Sequence, residues 1–181
     1  MRARGFTLIE LMIGLAIFAL LLLISMPTMI QFMGDSRIRS TADSITQGIR
    51  MAQVEAIRRN RDVDFVLTPG TGWRVDDSAG GTLQTEPFTN LATVSVAATP
   101  PGTSIVRFSG LGQFRDAADT VNPVGGPGPM QRIDVTSGTM ASPHPLQVIA
   151  DPTLGVGIRT CDPQFSSASA SAAKASIGCP P

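Results

Sequence analysis

Histidine occurs once and cysteine only twice in the 181 residues, and neither sign of charge is in excess, with 14 basic against 14 acidic side chains. The lone histidine, His144, stands between Pro143 and Pro145 without metal-ligand company, so it reads as a loop residue. The two cysteines, Cys161 and Cys179, have neither the spacing nor the histidine partners of a zinc site. Balanced charge argues against a globally basic nucleic-acid binder, although it leaves a local basic patch open. No phosphate-cradling glycine loop, nucleophile elbow or pair of carboxylates set for acid–base work occurs. The chain therefore does not read as an enzyme, and it calls for no metal or cofactor.

What the chain does have is an apolar run from Leu11 to Met26, with no charge inside it and Ser25 its single hydroxyl. Phe6, Leu8 and Ile9 on one side and the Pro27–Met33 tail on the other bring it to the ~18–20 residues that cross a bilayer as a helix. Glu10 stands at the head of this run. A carboxylate there costs about 2.5–3.5 kcal/mol on insertion scales, and nothing on the same helix face offers a partner. Arg2 and Arg4 place the extreme N-terminus in the cytoplasm by the positive-inside rule, so the bulk of the chain faces the periplasm or the exterior. A secretory signal peptide would end in a small-x-small site, which Ile24-Ser25-Met26-Pro27 does not supply. A plain anchor gives no reason for Glu10.

Beyond Gly34, Ile38, Ala42, Ile45, Ile49, Ala52 and Ala56 recur at steps of four and three, one face of a helix. That helix is expected to run to about Asn60, closed by Arg58-Arg59-Asn60-Arg61-Asp62, and basic residues in the last turn suit the helix dipole. These arginines read as a solvated helix end, with a nucleic-acid or lipid-headgroup patch as the alternative. Strands and turns follow. Residues 63–68 and 73–75 form a hairpin about Pro69-Gly70-Thr71-Gly72, in which Trp73 packs in the core. Further strands are expected at 93–97, 104–108, 132–136, 146–150 and 156–160, with 116–130 an exposed loop and 111–114 a turn-rich segment. One long helix followed by many short strands predicts an α+β fold, with an antiparallel β domain packed on the helix.

The opening Met1-Arg2-Ala3-Arg4-Gly5, followed by Phe6-Thr7-Leu8-Ile9-Glu10 and the apolar helix, resembles the leader of type IV pilins and pseudopilins. The resemblance implies that a prepilin peptidase cuts between Gly5 and Phe6 and that the new amino group of Phe6 is methylated. It implies that Glu10 pairs with the amino terminus of a neighbouring subunit during assembly, and that Pro27 is the helix-kinking proline of such chains. Two charges costly alone in hydrocarbon become tolerable together. Loss of Arg2 and Arg4 leaves the mature chain slightly acidic. The AQVEAIRRN helix end, Gly72-Trp73, the RFSGLGQF segment and the closing strand into Cys161 resemble the GspH/FimT family of minor pilins and pseudopilins.

In an exported domain, Cys161 and Cys179 read as a disulfide around the low-complexity SSASASAAKAS tract. Closing a loop of that size is worth about 3 kcal/mol in the chain-entropy model. Some FimT-type minor pilins bind DNA through a Gly-Arg-x-Arg motif. Here the matching stretch is Val156-Gly157-Ile158-Arg159, which keeps only the last arginine, with Lys174 the nearest further cation. The expectation is a leader at 1–5, a transmembrane assembly helix at 6–33 and a periplasmic domain at 34–181. The expected role is a minor pilin of a type IV pilus anchored in the inner membrane, with other pilins, the peptidase and the assembly platform as partners. A type II secretion pseudopilin and a DNA-uptake pilin are the alternatives.

Overall fold

The computed structural model describes residues 7–89, 93–115, 130–139, 143–150, 157–165 and 178–179, apart from the side chains of 24–28. Helix α1, Leu8–Arg59, is 52 residues long, or about 78 Å at 1.5 Å per residue. It begins at Thr7, whose side chain caps it, and runs through Pro27 as continuous helix. It stops at Asn60, which adopts the left-handed conformation (φ 50°) and donates its N–H to the carbonyls of Ala56 and Ile57. A left-handed residue just past the last turn satisfies carbonyls the helix cannot. Arg58 and Arg59 occupy that turn, as the dipole argument expects.

Eight strands follow: β1 Val63–Thr68, β2 Gly72–Asp77, β3 Thr82–Pro87, β4 Ser95–Thr99, β5 Ile105–Phe108, β6 Arg132–Thr136, β7 Leu146–Ile149 and β8 Arg159–Cys161. They form two antiparallel four-stranded sheets, ordered β3-β2-β1-β5 and β4-β6-β7-β8. The β1–β2 hairpin pairs Val63 with Asp77 through Thr68 with Gly72. β3 was not anticipated from the sequence; the antiparallel β domain packed on the helix is as expected, and it is divided into two sheets. Met130, placed in an exposed loop by the sequence reading, is fully buried and donates its N–H to the Ile105 carbonyl. An apolar side chain at the point where the chain returns to a sheet is drawn inward. Residues 116–129 of that loop and 151–156 lie outside the described residues.

Both sheets pack on the same stripe of α1. Ile38, Ala42, Ile45, Ile49, Ala52 and Ala56 are all fully buried, in one cluster with Phe65, Trp73, Val75, Phe108, Ile133 and Val148. Each buried aliphatic or aromatic side chain in such a core contributes about 1.5–3 kcal/mol. The stripe mixes isoleucines with alanines, and the small residues let the sheets approach closely. At Gly48 there is no room for a side chain: a Cβ would stand 2.8 Å from both Phe65 Cε2 and Trp73 Cδ2.

Candidate assembly surface

The helix that is buried over its second half is bare over its first. Every described side chain from Thr7 to Met33 is exposed. Leu8 is 79% exposed, Ile9 62%, Ile17 56% and Phe32 70%, at positions spread around the helix. No face of this half is covered, and a helix apolar all round needs cover on all sides. Among the described residues no helix is long and apolar enough to cross a membrane, with the side chains of 24–28 excluded.

Thr7 and Glu10 shape the start of α1. The Thr7 hydroxyl oxygen accepts the Glu10 N–H at 3.3 Å, and the Thr7 carbonyl accepts the Leu11 N–H at 3.2 Å. A Thr with Glu three residues on is the pattern of a capping box. The Glu10 carboxylate is exposed between Ile9 and Leu11 and has no side-chain partner among the described residues. In this position it can take a cation on its own terms, while its charge favours the N-terminal end of the helix dipole. Gly5 and Phe6 lie outside the described residues, and of Pro27 only the helical backbone is described.

Where α1 leaves the domain, the lone histidine meets it. The His144 N–H donates to Asp35 at 3.4 Å, and its Nε2 stands 3.8 Å from the same carboxylate. The loop before β7 is thus tied to the helix neck.

Cys161 and Cys179 form the disulfide, and its sulfurs pack against Ile149 in a small buried cluster. Beside it, Asp162 and Gly178 pair in a parallel bridge. Thr160 and Thr46 share a hydrogen bond at 3.1 Å that ties β8 to α1. Arg159 turns toward the closed loop. Its Nη2 donates to the Gly178 carbonyl at 3.4 Å, and its Nε is buried without a partner among the described residues. Lys174, the other cation suggested for DNA, lies outside the described residues.

The arginines at the far end of α1 are matched by acids. Glu55 receives Arg58 at 2.7 Å and Arg59 at 2.9 Å, and Asp77 receives Arg59 at 3.3 Å and Arg61 at 3.9 Å. The hydrogen bonds from Arg58 and Arg59 hold the Glu55 carboxyl below its ordinary range. Asp77 is likewise lowered, chiefly by the Ala79 N–H, with Arg61 and Arg59 adding to it against the effect of burial. Arg107 grips Asp64 with two bonds, at 2.6 and 2.7 Å. This is a helix end whose arginines are paired with acids.

Trp73 is core, as expected, and its Nε1–H donates to Ser44 at 3.0 Å. Gly48, which packs directly on the Phe65 and Trp73 rings, was not singled out from the sequence. A glycine inside an amphipathic helical pattern was the available signal.

Residues 1–26 match the family model described as the prokaryotic N-terminal methylation motif. Residues 41–149 match the one described as Type II transport protein GspH. A comparison with curated proteins gives no match. Among solved structures, the type IV minor pilin FimU of Pseudomonas aeruginosa (strain PAO1) is similar at 14% identity, over 78% of this chain and 97% of that one, with a TM-score of 0.47.

Proposed function

The chain belongs to the Type II transport protein GspH family and opens with the prokaryotic N-terminal methylation motif, and from that premise we propose that it is a minor pilin incorporated into, or priming, a type IV pilus. It is a pilin-like structural subunit, a minor pilin or pseudopilin, and not an enzyme. The motif implies a membrane-anchored pilin that assembles with other pilins after prepilin peptidase processing.

In the proposed cycle the chain sits as a single-pass protein of the inner membrane, residues 6–33 in the bilayer and 34–181 in the periplasm. The peptidase cuts between Gly5 and Phe6, and Phe6 is methylated. The assembly platform then passes the subunit into a filament, where its apolar half packs among sister helices. There Glu10 pairs with the amino group of a neighbour. The observation that carries this reading is a helix half whose described side chains are apolar and exposed all round, with one carboxylate in its first turn that has no side-chain partner among the described residues. Lipid covers such a surface before assembly, and other helices cover it afterwards. The charge pair removes the cost of a carboxylate alone in hydrocarbon, about 2.5–3.5 kcal/mol.

Glu10→Ala tests it. The variant is expected to be cleaved normally and to fail to enter filaments in shear fractions, whereas normal incorporation would overturn the role of Glu10. Mass analysis that found Met1 to Gly5 still attached would remove the amine and the mechanism with it.

A second reading, a pseudopilin of type II secretion, is favoured by the description of the matching family. Deletion scored for twitching against exoprotein release separates the two. The DNA-uptake reading rests on Arg159 alone among the described residues, and the bond of Arg159 to Gly178 leaves little to support it.

A further inference from the structure

A groove of about 860 Å³ runs beside α1, outside the apolar half and outside the helix–sheet core. One wall is a row of α1 that includes Arg39, Asp43 and Gln47, and the other is β3, through Gln84 and Glu86, with Trp73 between them. From Ser36 to Met51 the helical wall extends about 22 Å at 1.5 Å per residue. That is the length of six or seven extended residues at about 3.3 Å each, and β3 itself has six.

Two features of this groove are unspent. β3 is an edge strand that pairs only with β2 among the described strands, so its outer backbone groups are open. The Phe88 N–H bond to the Thr71 carbonyl sets a register in which Gln84 and Glu86 turn their backbone groups to β2; with the bulge opposite Val75/Asp76 on one side and Pro87 on the other, the open N–H and carbonyl are those of Thr85, between the two side chains that line the groove. The second feature is charge. Among the described residues Asp43 and Glu86 have no ion pair or hydrogen bond from a side chain, whereas every other described carboxylate from Asp35 onward has a partner. The two unmatched acids face one groove, against the single guanidinium of Arg39.

We propose that this groove docks an extended, basic segment of another protein subunit, laid along the open edge of β3. Strand addition uses backbone hydrogen bonds for affinity and alternate side chains for specificity. The two carboxylates supply the choice of a basic side chain and steer its approach. An open ladder excludes a helical ligand from the same bonds, and an excess of negative charge disfavours nucleic acid. This site is independent of the pairing at Glu10 and stands whichever machine the subunit serves.

The chain carries its own reporter, because Trp73 is its single tryptophan and lines the groove. The full chain in detergent micelles would be titrated with two blocked heptapeptides, Thr-Lys-Thr-Val-Thr-Lys-Thr and its counterpart with Glu at both Lys positions. The Lys peptide is expected to shift Trp73 emission and to bind at least about tenfold more tightly than the Glu peptide, as loss of a charge-assisted contact implies. The double variant Asp43→Asn, Glu86→Gln should lose that preference while keeping the wild-type thermal midpoint, since neither acid has an internal partner. N-methylation of alternate backbone nitrogens in the Lys peptide should also weaken it at least about tenfold, because it blocks ladder bonds. Equal binding of both peptides, no binding, or an unchanged double variant would overturn the proposal. So would a chitohexaose or oligonucleotide response that depends on Asp43 and Glu86. Self-association in sedimentation that vanishes in the double variant would overturn it in favour of a second copy.

Discussion

Replacing Gly48 by alanine adds one methyl group where helix and sheet leave no room for it. The new Cβ would lie 2.8 Å from Phe65 Cε2, 2.8 Å from Trp73 Cδ2 and 2.9 Å from Trp73 Cε2, all below any ordinary contact. Neither ring is free to retreat. Phe65 is fully buried and Trp73 is 6% exposed, their centroids are 5.8 Å apart, and the Trp73 Nε1–H is tied to Ser44. The helix must therefore move outward by more than half an ångström, which loosens Ile45, Ile49 and Ala52 on the same stripe. Overpacking of this kind costs about 1–3 kcal/mol. Alanine recovers about 1 kcal/mol of helix propensity over glycine. With three contacts violated at once, the upper part of the packing range applies and the net loss is about 1–2 kcal/mol. For a chain of this size that lowers the melting temperature by about 3–6 °C. The assay is thermal unfolding of the full chain in detergent, followed by Trp73 emission. Gly14→Ala is the control, since nothing lies within 4 Å of the Cβ it would add, and it should not lower the midpoint. A Gly48→Ala midpoint equal to or above wild type would refute the close seating of α1 on the first sheet.

Three further outcomes are expected. Cys161→Ser with Cys179→Ser, or reduction of the wild type, should lower stability by about 3 kcal/mol for a loop of this length, measured as a fall in the thermal midpoint that reductant no longer deepens in the variant. Arg107→Lys should cost about 1 kcal/mol, because a lysine cannot make the two parallel bonds to Asp64; urea midpoints with unchanged slope would register it. Asp77 and Glu55 titrate below their ordinary range in the folded chain. Their folded values lie under their unfolded ones, so their contribution is complete above about pH 4–5 and is lost as pH falls through the folded values. Thermal midpoints between pH 7 and pH 2 should therefore drop less steeply in Asp77→Asn than in the wild type, and parallel curves would contradict this.

The parts legible in the sequence were those written in adjacent residues. The stripe from Ile38 to Ala56 has helical spacing, and all six of its members proved buried. The end of α1 near Asn60 and the β1–β2 hairpin were equally plain, since each depends on a cap or turn within a few residues. β3 was not legible. TLQTEP has one apolar residue besides its proline, and its exposure follows from its place at the edge of a sheet, which a neighbour 10 residues away cannot announce. The division into two sheets was hidden for the same reason, because β1 pairs with β5 across the intervening β2, β3 and β4. At the assembly surface, the Phe6–Glu10 signature is contiguous and was readable. The groove joins Asp43 on a helix to Glu86 on a strand, and only folding brings them to opposite walls.

The uninterrupted length of α1 turns it into a lever. From Ile38, where the domain takes hold, to Glu10 is about 42 Å of rigid rod at 1.5 Å per residue. A tilt of roughly ten degrees at the grip would swing the carboxylate sideways by about 7 Å, well past the ~4 Å reach of an ion pair. The methyl-free notch at Gly48 is therefore as much an aiming device as a packing detail, since the angle at which the sheets clasp the rod decides where its acidic tip arrives.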